Sequence, residues 1–111
     1  MRPAELLLQK GLQAWLAPYA GYLLEVLSYN GRRYTITSVY RSPEKQQQCW
    51  DRFKAGLSKY PAAPPGHSKH EQGRAFDFTA DEDTLRLAGA FWESMGGRWG
   101  GRFKDPIHFE A

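Results

Sequence analysis

Apolar residues in the first third of the chain recur every three or four positions and alternate further on, a pattern that predicts helices first and strands after them. Residues 4–16 are rich in Leu and Ala, with Leu8, Leu12, Trp15 and Leu16 on one helical face, and Pro18 is expected to interrupt that helix. A second amphipathic stretch over 19–27 carries Tyr22, Leu23, Val26 and Leu27 and closes at the turn pair Asn30-Gly31. Residues 33–40 are dense in β-branched and aromatic side chains, with Tyr34, Ile36 and Ser38 alternating against Thr35, Thr37 and Val39, which predicts a strand. Ser42-Pro43 offers an N-cap followed by proline at the first helical position, opening a helix to about Ser58 with Gln46, Cys49, Trp50, Phe53 and Leu57 on one face.

Prolines at 61, 64 and 65 make residues 59–66 a surface loop. Residues 75–78 read as a short strand. Residues 79–82 have the spacing of a capping box that opens a helix through about Met95, with Leu85, Ala88, Phe91, Trp92 and Met95 as its buried stripe. Gly96-Gly97 ends it, residues 99–103 form a tight connection, and 107–110 is the last strand. Helices come first and between strands without strict βαβ alternation, so the expected class is α+β: a small, mainly antiparallel sheet with packed helices.

The 111 residues suit one domain spanning 1–111 with no separate second module, and the 14% aromatic content argues against disorder. No apolar run approaches the roughly 20 residues needed to cross a bilayer, and the N-terminus is too polar for a signal peptide, so synthesis in the cytoplasm without membrane insertion is expected. The single cysteine, Cys49, excludes an internal disulfide and reads as a small hydrophobe of a helical stripe. A formal charge of +3 favours anionic partners. The basic residues are scattered and form no helix-turn-helix or RNA-recognition pattern, which argues against nucleic acid.

All three histidines lie in the second half, at 67, 70 and 108. In a strand over 75–78, Asp77 faces away from Phe76 and Phe78. In the last strand, His108 and Glu110 face away from Ile107 and Phe109. If these strands are neighbours, Asp77 and His108 emerge side by side, and His70 folds back through Gly73 to the same point. A carboxylate between two phenylalanines needs a cationic partner, because its desolvation alone costs several kcal/mol. Two imidazoles and one carboxylate suit catalytic Zn²⁺, which keeps a fourth position for water. Asp105, three residues before His108 and stiffened by Pro106, is placed to act as general base on that water, a combination that hydrolyses amides.

The segment Ser68-Lys69-His70-Glu71-Gln72-Gly73-Arg74-Ala75-Phe76-Asp77-Phe78 resembles the signature of the zinc D-alanyl-D-alanine carboxypeptidase and L-alanyl-D-glutamate endopeptidase family. Asp105-Pro106-Ile107-His108-Phe109-Glu110 resembles its second block, and Tyr40-Arg41-Ser42-Pro43-Glu44-Lys45-Gln46 its third. The resemblance covers residue 34 to the C-terminus and implies a hedgehog/DD-peptidase-like fold. It implies His70, Asp77 and His108 as zinc ligands, Asp105 as the catalytic carboxylate, and Arg41 as the group that steadies substrate or a developing oxyanion. A guanidinium at a strand end also suits the carboxylates of murein stems by its own chemistry.

Further expectations are Ser68, His67 and Gln46 at the substrate and Glu110 orienting a ligand. Glu71 and Asp81 are weaker alternatives to Asp105 as base, Trp92 is expected in the core, and Trp99 exposed near the cleft. Arg102 and Phe103 stand where family members often carry Asp and Trp. The implied substrate is the peptide stem of bacterial peptidoglycan, and the first expectation is an L-alanyl-D-glutamate endopeptidase of phage endolysin type. Such an enzyme is expected to be monomeric, to be exported with a holin, and to act on the wall. The alternatives are a D,D- or L,D-carboxypeptidase of the same fold, or a non-catalytic murein-binding or virion module.

Overall fold

Pro3 and Pro18 each sit in the opening turn of a helix, where a missing N–H leaves no intrahelical bond unmade. The N-terminal region of the computed structural model, which describes residues 1–111, is therefore two helices, α1 (Pro3–Gln9) and α2 (Ala17–Tyr29). The single helix expected over 4–16 breaks at Gly11, whose φ of 96° lies in the left-handed region. Pro18 starts a helix rather than interrupting one. The buried face also shifts: Leu7, Leu12 and Leu16 are in the core, whereas Leu8 and Trp15 are exposed. Gly21 lets α1 and α2 cross closely, since a Cβ there would stand 2.7 Å from that of Ala4.

The remaining elements are β1 (Thr35–Ser38), α3 (Pro43–Lys54), β2 (Ala75–Thr79), α4 (Glu82–Ser94), β3 (Arg98–Trp99) and β4 (His108–Glu110). The four strands form one antiparallel sheet in the order β1-β2-β4-β3, so the class is α+β. β1 is shorter than the run of β-branched residues that predicts it. β3 falls within a stretch whose Trp-Gly-Gly composition reads as a connection. Asp81 caps α4 by accepting from the Thr84 amide, displacing the cap expected at Thr79, which is paired with Thr35 in the sheet.

One face of the sheet is the core. Phe76, Phe78 and Phe109 are stacked there and fully buried, and Trp92 of α4 meets Phe76 edge-on at 5.2 Å. The other face carries the polar residues of β2 and β4 and lies open beneath α3. Of α3, only Gln46 is fully buried, and Phe53 is exposed, so its apolar stripe is not core. The helix ends at Lys54 because Gly56, at φ 74°, turns the chain away, which leaves Leu57 71% exposed instead of continuing the stripe. α3 and the loop after it form a wall over the sheet's polar face.

α4 reaches the sheet edge through Gly89, against which the ring of Trp99 lies flat. A Cβ at Gly89 would collide with that ring. Gly to Ala inside a helix ordinarily stabilises by about 1 kcal/mol. Here the sign reverses: Gly89→Ala is expected to destabilise by roughly 1–3 kcal/mol through overpacking, read as a lower urea midpoint, and an increase would contradict the packing of Trp99 on α4.

Candidate metal centre

The β2–β4 register sets Asp77 directly opposite His108 on the polar face, while their neighbours Phe76 and Phe109 face the core. His70 arrives from outside the sheet. Residues Lys69–Gln72 form a 3₁₀ turn whose capping box is closed by Ser68, accepting from the His70 amide, and by Glu71, accepting from the Ser68 amide. Gly73 then reverses the chain at φ 65°, only 2.6 Å (measured from where its Cβ would be) from the Gly11 carbonyl, so this position requires glycine. The result brings two imidazoles from separate segments onto one carboxylate oxygen. His70 Nε2 is 3.1 Å and His108 Nδ1 2.9 Å from Asp77 Oδ1.

The outer nitrogens of both rings are already engaged. His70 Nδ1 donates to the Val39 carbonyl at 2.6 Å, and His108 Nε2 donates to Glu110 Oε1 at 2.8 Å. Carbonyl and carboxylate acceptors there hold a proton on each outer nitrogen, so that an ion displacing the inner protons would meet the lone pairs of His70 Nε2 and His108 Nδ1 at the common centre. The three donor atoms lie within 4.8 Å of one another. Around an ion with bonds of about 2.0–2.1 Å at tetrahedral angles, donors stand roughly 3.3 Å apart, so only small adjustments are needed. A His₂Asp set of this kind suits Zn²⁺ with one position left for solvent.

The electrostatics without an ion agree with a cation site. Burial works against an ionised Asp77, yet hydrogen bonds from His108 and His70 outweigh it and hold the carboxyl well below the usual range. His108 is likewise penalised by burial, but its bonds to Asp77 and Glu110 push it up to about 9. The bond from His108 in turn holds Glu110 down.

Asp105 stands at the edge of this cluster. Its backbone is pinned by an amide bond to the Gly100 carbonyl and by the His108 amide, and Gly100 has no room for a side chain against either residue. Burial, followed by the charge of Asp77, pushes the Asp105 carboxyl up to about 6. Asp105 Oδ1 is buried without a hydrogen-bond partner, an orphaned acceptor in a residue that lines the cleft, and water or an ion's water would satisfy it.

Arg41 follows β1 and donates to Asp77 Oδ2 (3.1 Å), Ser38 Oγ (2.9 Å) and Gln46 Oε1 (3.2 Å). Two of its five N–H groups have no protein acceptor, and the residue lines the cleft. Gln46 differs from its expected place at the substrate: its amide donates to the Ala63 carbonyl and accepts from Arg41, and the side chain is wholly buried. It stands behind Arg41, tying α3's neighbouring loop to the site. Ser68 is buried as the cap of the His70 turn, with its hydroxyl lining the cleft, while His67 is exposed on the cleft rim and joins neither imidazole.

The alternatives to Asp105 are placed elsewhere. Glu71 is used by the Gly66 and Ser68 amides, and Asp81 by α4. Trp99, expected exposed near the cleft, is instead packed on Gly89 with its indole N–H donating to the Pro106 carbonyl. Sequence reasoning did not anticipate the Val39 carbonyl as the His70 tether, because main-chain acceptors carry no side-chain signal. Nor did it single out Lys45, Arg52, Lys69 and Arg98, which line the cleft of about 890 Å³ around the cluster.

The family model described as VanY, D-alanyl-D-alanine carboxypeptidase, matches residues 9–111. Among solved structures, a variant of the vancomycin-resistance D,D-pentapeptidase VanY from a VanB-type resistance cassette, in complex with Zn(II), is 22% identical with a TM-score of 0.70, covering 89% of this chain and 71% of that one. The L,D-carboxypeptidase DacB from Streptococcus pneumonia is 21% identical with a TM-score of 0.67, covering 90% and 66%. The L-Ala D-Glu endopeptidase ChiX of Serratia marcescens is 22% identical with a TM-score of 0.66, covering 98% and 85%. At these identities the likeness is one of fold. No curated protein matches the chain.

A ligand that binds only the folded state stabilises it by mass action, by about 2.7 kcal/mol at a hundredfold excess over Kd. Zn²⁺ added to chelator-stripped protein is expected to raise Tm by several degrees, and the shift is expected to vanish in Asp77→Asn and His108→Ala. An equal shift in all three proteins would place the ion elsewhere.

Proposed function

Because the chain belongs to the VanY D-alanyl-D-alanine carboxypeptidase family, we propose that it is a zinc-dependent peptidase that cleaves an amide bond in peptidoglycan stem peptides. The observation that carries this reading is the convergence of His70 Nε2, His108 Nδ1 and Asp77 Oδ1 beside the unpartnered Asp105 carboxylate. His70, Asp77 and His108 would hold the ion, and Glu110 and the Val39 carbonyl would orient the two rings. Zn²⁺ bound there supplies Lewis-acid polarisation of a carbonyl and lowers the pKa of water toward about 7.

The protein's own groups do the rest. Asp105, its pKa pushed up to about 6, has the basicity to accept a proton from the attacking water near neutral pH and to pass it to the departing amine. Arg41 holds the far oxygen of Asp77, so the near oxygen keeps its orientation, and its two free N–H groups face the cleft to receive the scissile carbonyl or a substrate carboxylate. Ser68 supports His70 by capping its turn and offers its hydroxyl proton to the cleft. Gln46 keeps the Arg41 guanidinium in plane.

For the bond cleaved, the first reading is L-alanyl-D-glutamate endopeptidase. Its support is the likeness to ChiX over nearly the whole of this chain, and a cleft of about 890 Å³ lined by residues of α3 on one side and of β3 and β4 on the other. The second reading, a carboxypeptidase, is favoured by the family description and by the free N–H groups of Arg41, which suit a terminal carboxylate.

Mass spectrometry of digested muropeptides separates the two readings: release of the stem from the sugar-linked alanine supports the first, loss of one C-terminal residue the second. Asp105→Asn is expected to keep one equivalent of zinc while kcat falls by about 10²–10⁴-fold. Full activity in that variant would remove Asp105 from the role of base.

A further inference from the structure

Five cationic side chains line the cleft, and Arg41 alone among them is engaged with a carboxylate. Lys45 and Arg52 project from exposed turns of α3, and Lys69 lies on the His70 turn. Arg98 is the one with a fixed geometry. It is in β3, paired across the sheet with Glu110, but Glu110 is taken by His108, so the guanidinium has no carboxylate within ion-pair distance. Its Cζ stacks 4.2 Å from the ring of Phe103, which is itself 48% exposed.

A solvent-facing phenylalanine that supports an unpaired guanidinium leaves the edge of the N–H fork open while holding its plane, an arrangement suited to a bidentate carboxylate. Arg98 stands opposite Glu110, two residues along β4 from His108, and both line the same cleft. A carboxylate bound by Arg98 would therefore belong to a part of the substrate near the bond that is cut. We propose that Arg98, stacked on Phe103 at the β3 wall of the cleft, binds a free carboxylate of the stem peptide and makes the enzyme selective for unamidated over amidated stems. This rests on the peptidase reading above and adds to it a named specificity determinant.

The test uses two synthetic stem peptides that differ only in whether the α-carboxyl of the γ-linked D-glutamyl residue is free or amidated. The zinc-loaded wild type is expected to prefer the free acid by about tenfold or more in kcat/KM, mostly through KM, as suits a charge-assisted bond. Arg98→Gln is expected to bring the ratio toward one by losing only the acid, and Arg98→Lys to restore part of it. Phe103→Leu, which keeps every charge, is expected to lower the ratio by loosening the fork. An acid-to-amide ratio unchanged in Arg98→Gln overturns the proposal. Were neither peptide cleaved by the wild type, the peptidase reading would fail on its own, and calorimetric binding of the same peptides would judge the subsite. Tighter acid binding that depends on Arg98 upholds it, and equal or absent binding overturns it.

Discussion

A single carboxylate buried in the middle of a strand constrains everything around it. Asp77 lies between two fully buried phenylalanines on β2, and a charge there is tolerated only if the rest of the chain delivers cations to it. The fold supplies three partners from separate places: the His70 imidazole from a capped 3₁₀ turn, His108 from the neighbouring strand, and the Arg41 guanidinium from the end of β1. The sheet order β1-β2-β4-β3 follows the same logic, because it puts β2 centrally enough to be flanked by the strands that carry or precede two of those partners. The two Asp77 oxygens divide the work: one faces both imidazoles and the other faces the guanidinium.

The aromatic face of the sheet gives this polar cluster its rigidity. Stacked Phe76, Phe78 and Phe109, with Trp92 edge-on, fix the register of β2 against β4, and a slip of one residue would turn Asp77 and His108 into the core. Glycines make the approaches: Gly73 under the His70 turn and Gly100 beside Asp105 stand where a side chain would collide. By contrast, the α3 wall has little buried surface and is joined to the site through Gln46, which reaches both Arg41 and the Ala63 carbonyl. The catalytic cluster is thus held by the core, whereas the substrate-facing wall is the loosely packed part of the fold.

The α+β class was legible from the order of helices and strands, and the polar faces that carry Asp77 and His108 from the two-residue period; that the two strands are neighbours stood there only as a condition, which the β2–β4 pairing meets. The three-block resemblance added the order of the segments. What the sequence could not show is instructive. The helix break at Gly11 depended on a positive φ that a lone glycine does not announce. β3, two residues long, had no periodicity to read. Leu57 read as part of the α3 stripe because helical spacing continues past a point where Gly56 turns the chain away. Gln46 and Ser68 also take part in main-chain hydrogen bonds that side-chain patterns do not reveal: Gln46 ties Arg41 to the Ala63 carbonyl, and Ser68 caps the His70 turn while lining the cleft.

The proposed function depends on an ion held by His70 through Nε2, by His108 through Nδ1 and by one oxygen of Asp77, with the tautomers set by Val39 and Glu110. Anomalous diffraction at the zinc edge from crystals grown with one equivalent of Zn²⁺ tests this most directly. The prediction is a single strong peak about 2.0–2.1 Å from those three atoms, with solvent completing the coordination beside Asp105. A peak elsewhere, or His108 ligating through Nε2 with Glu110 released, would contradict it.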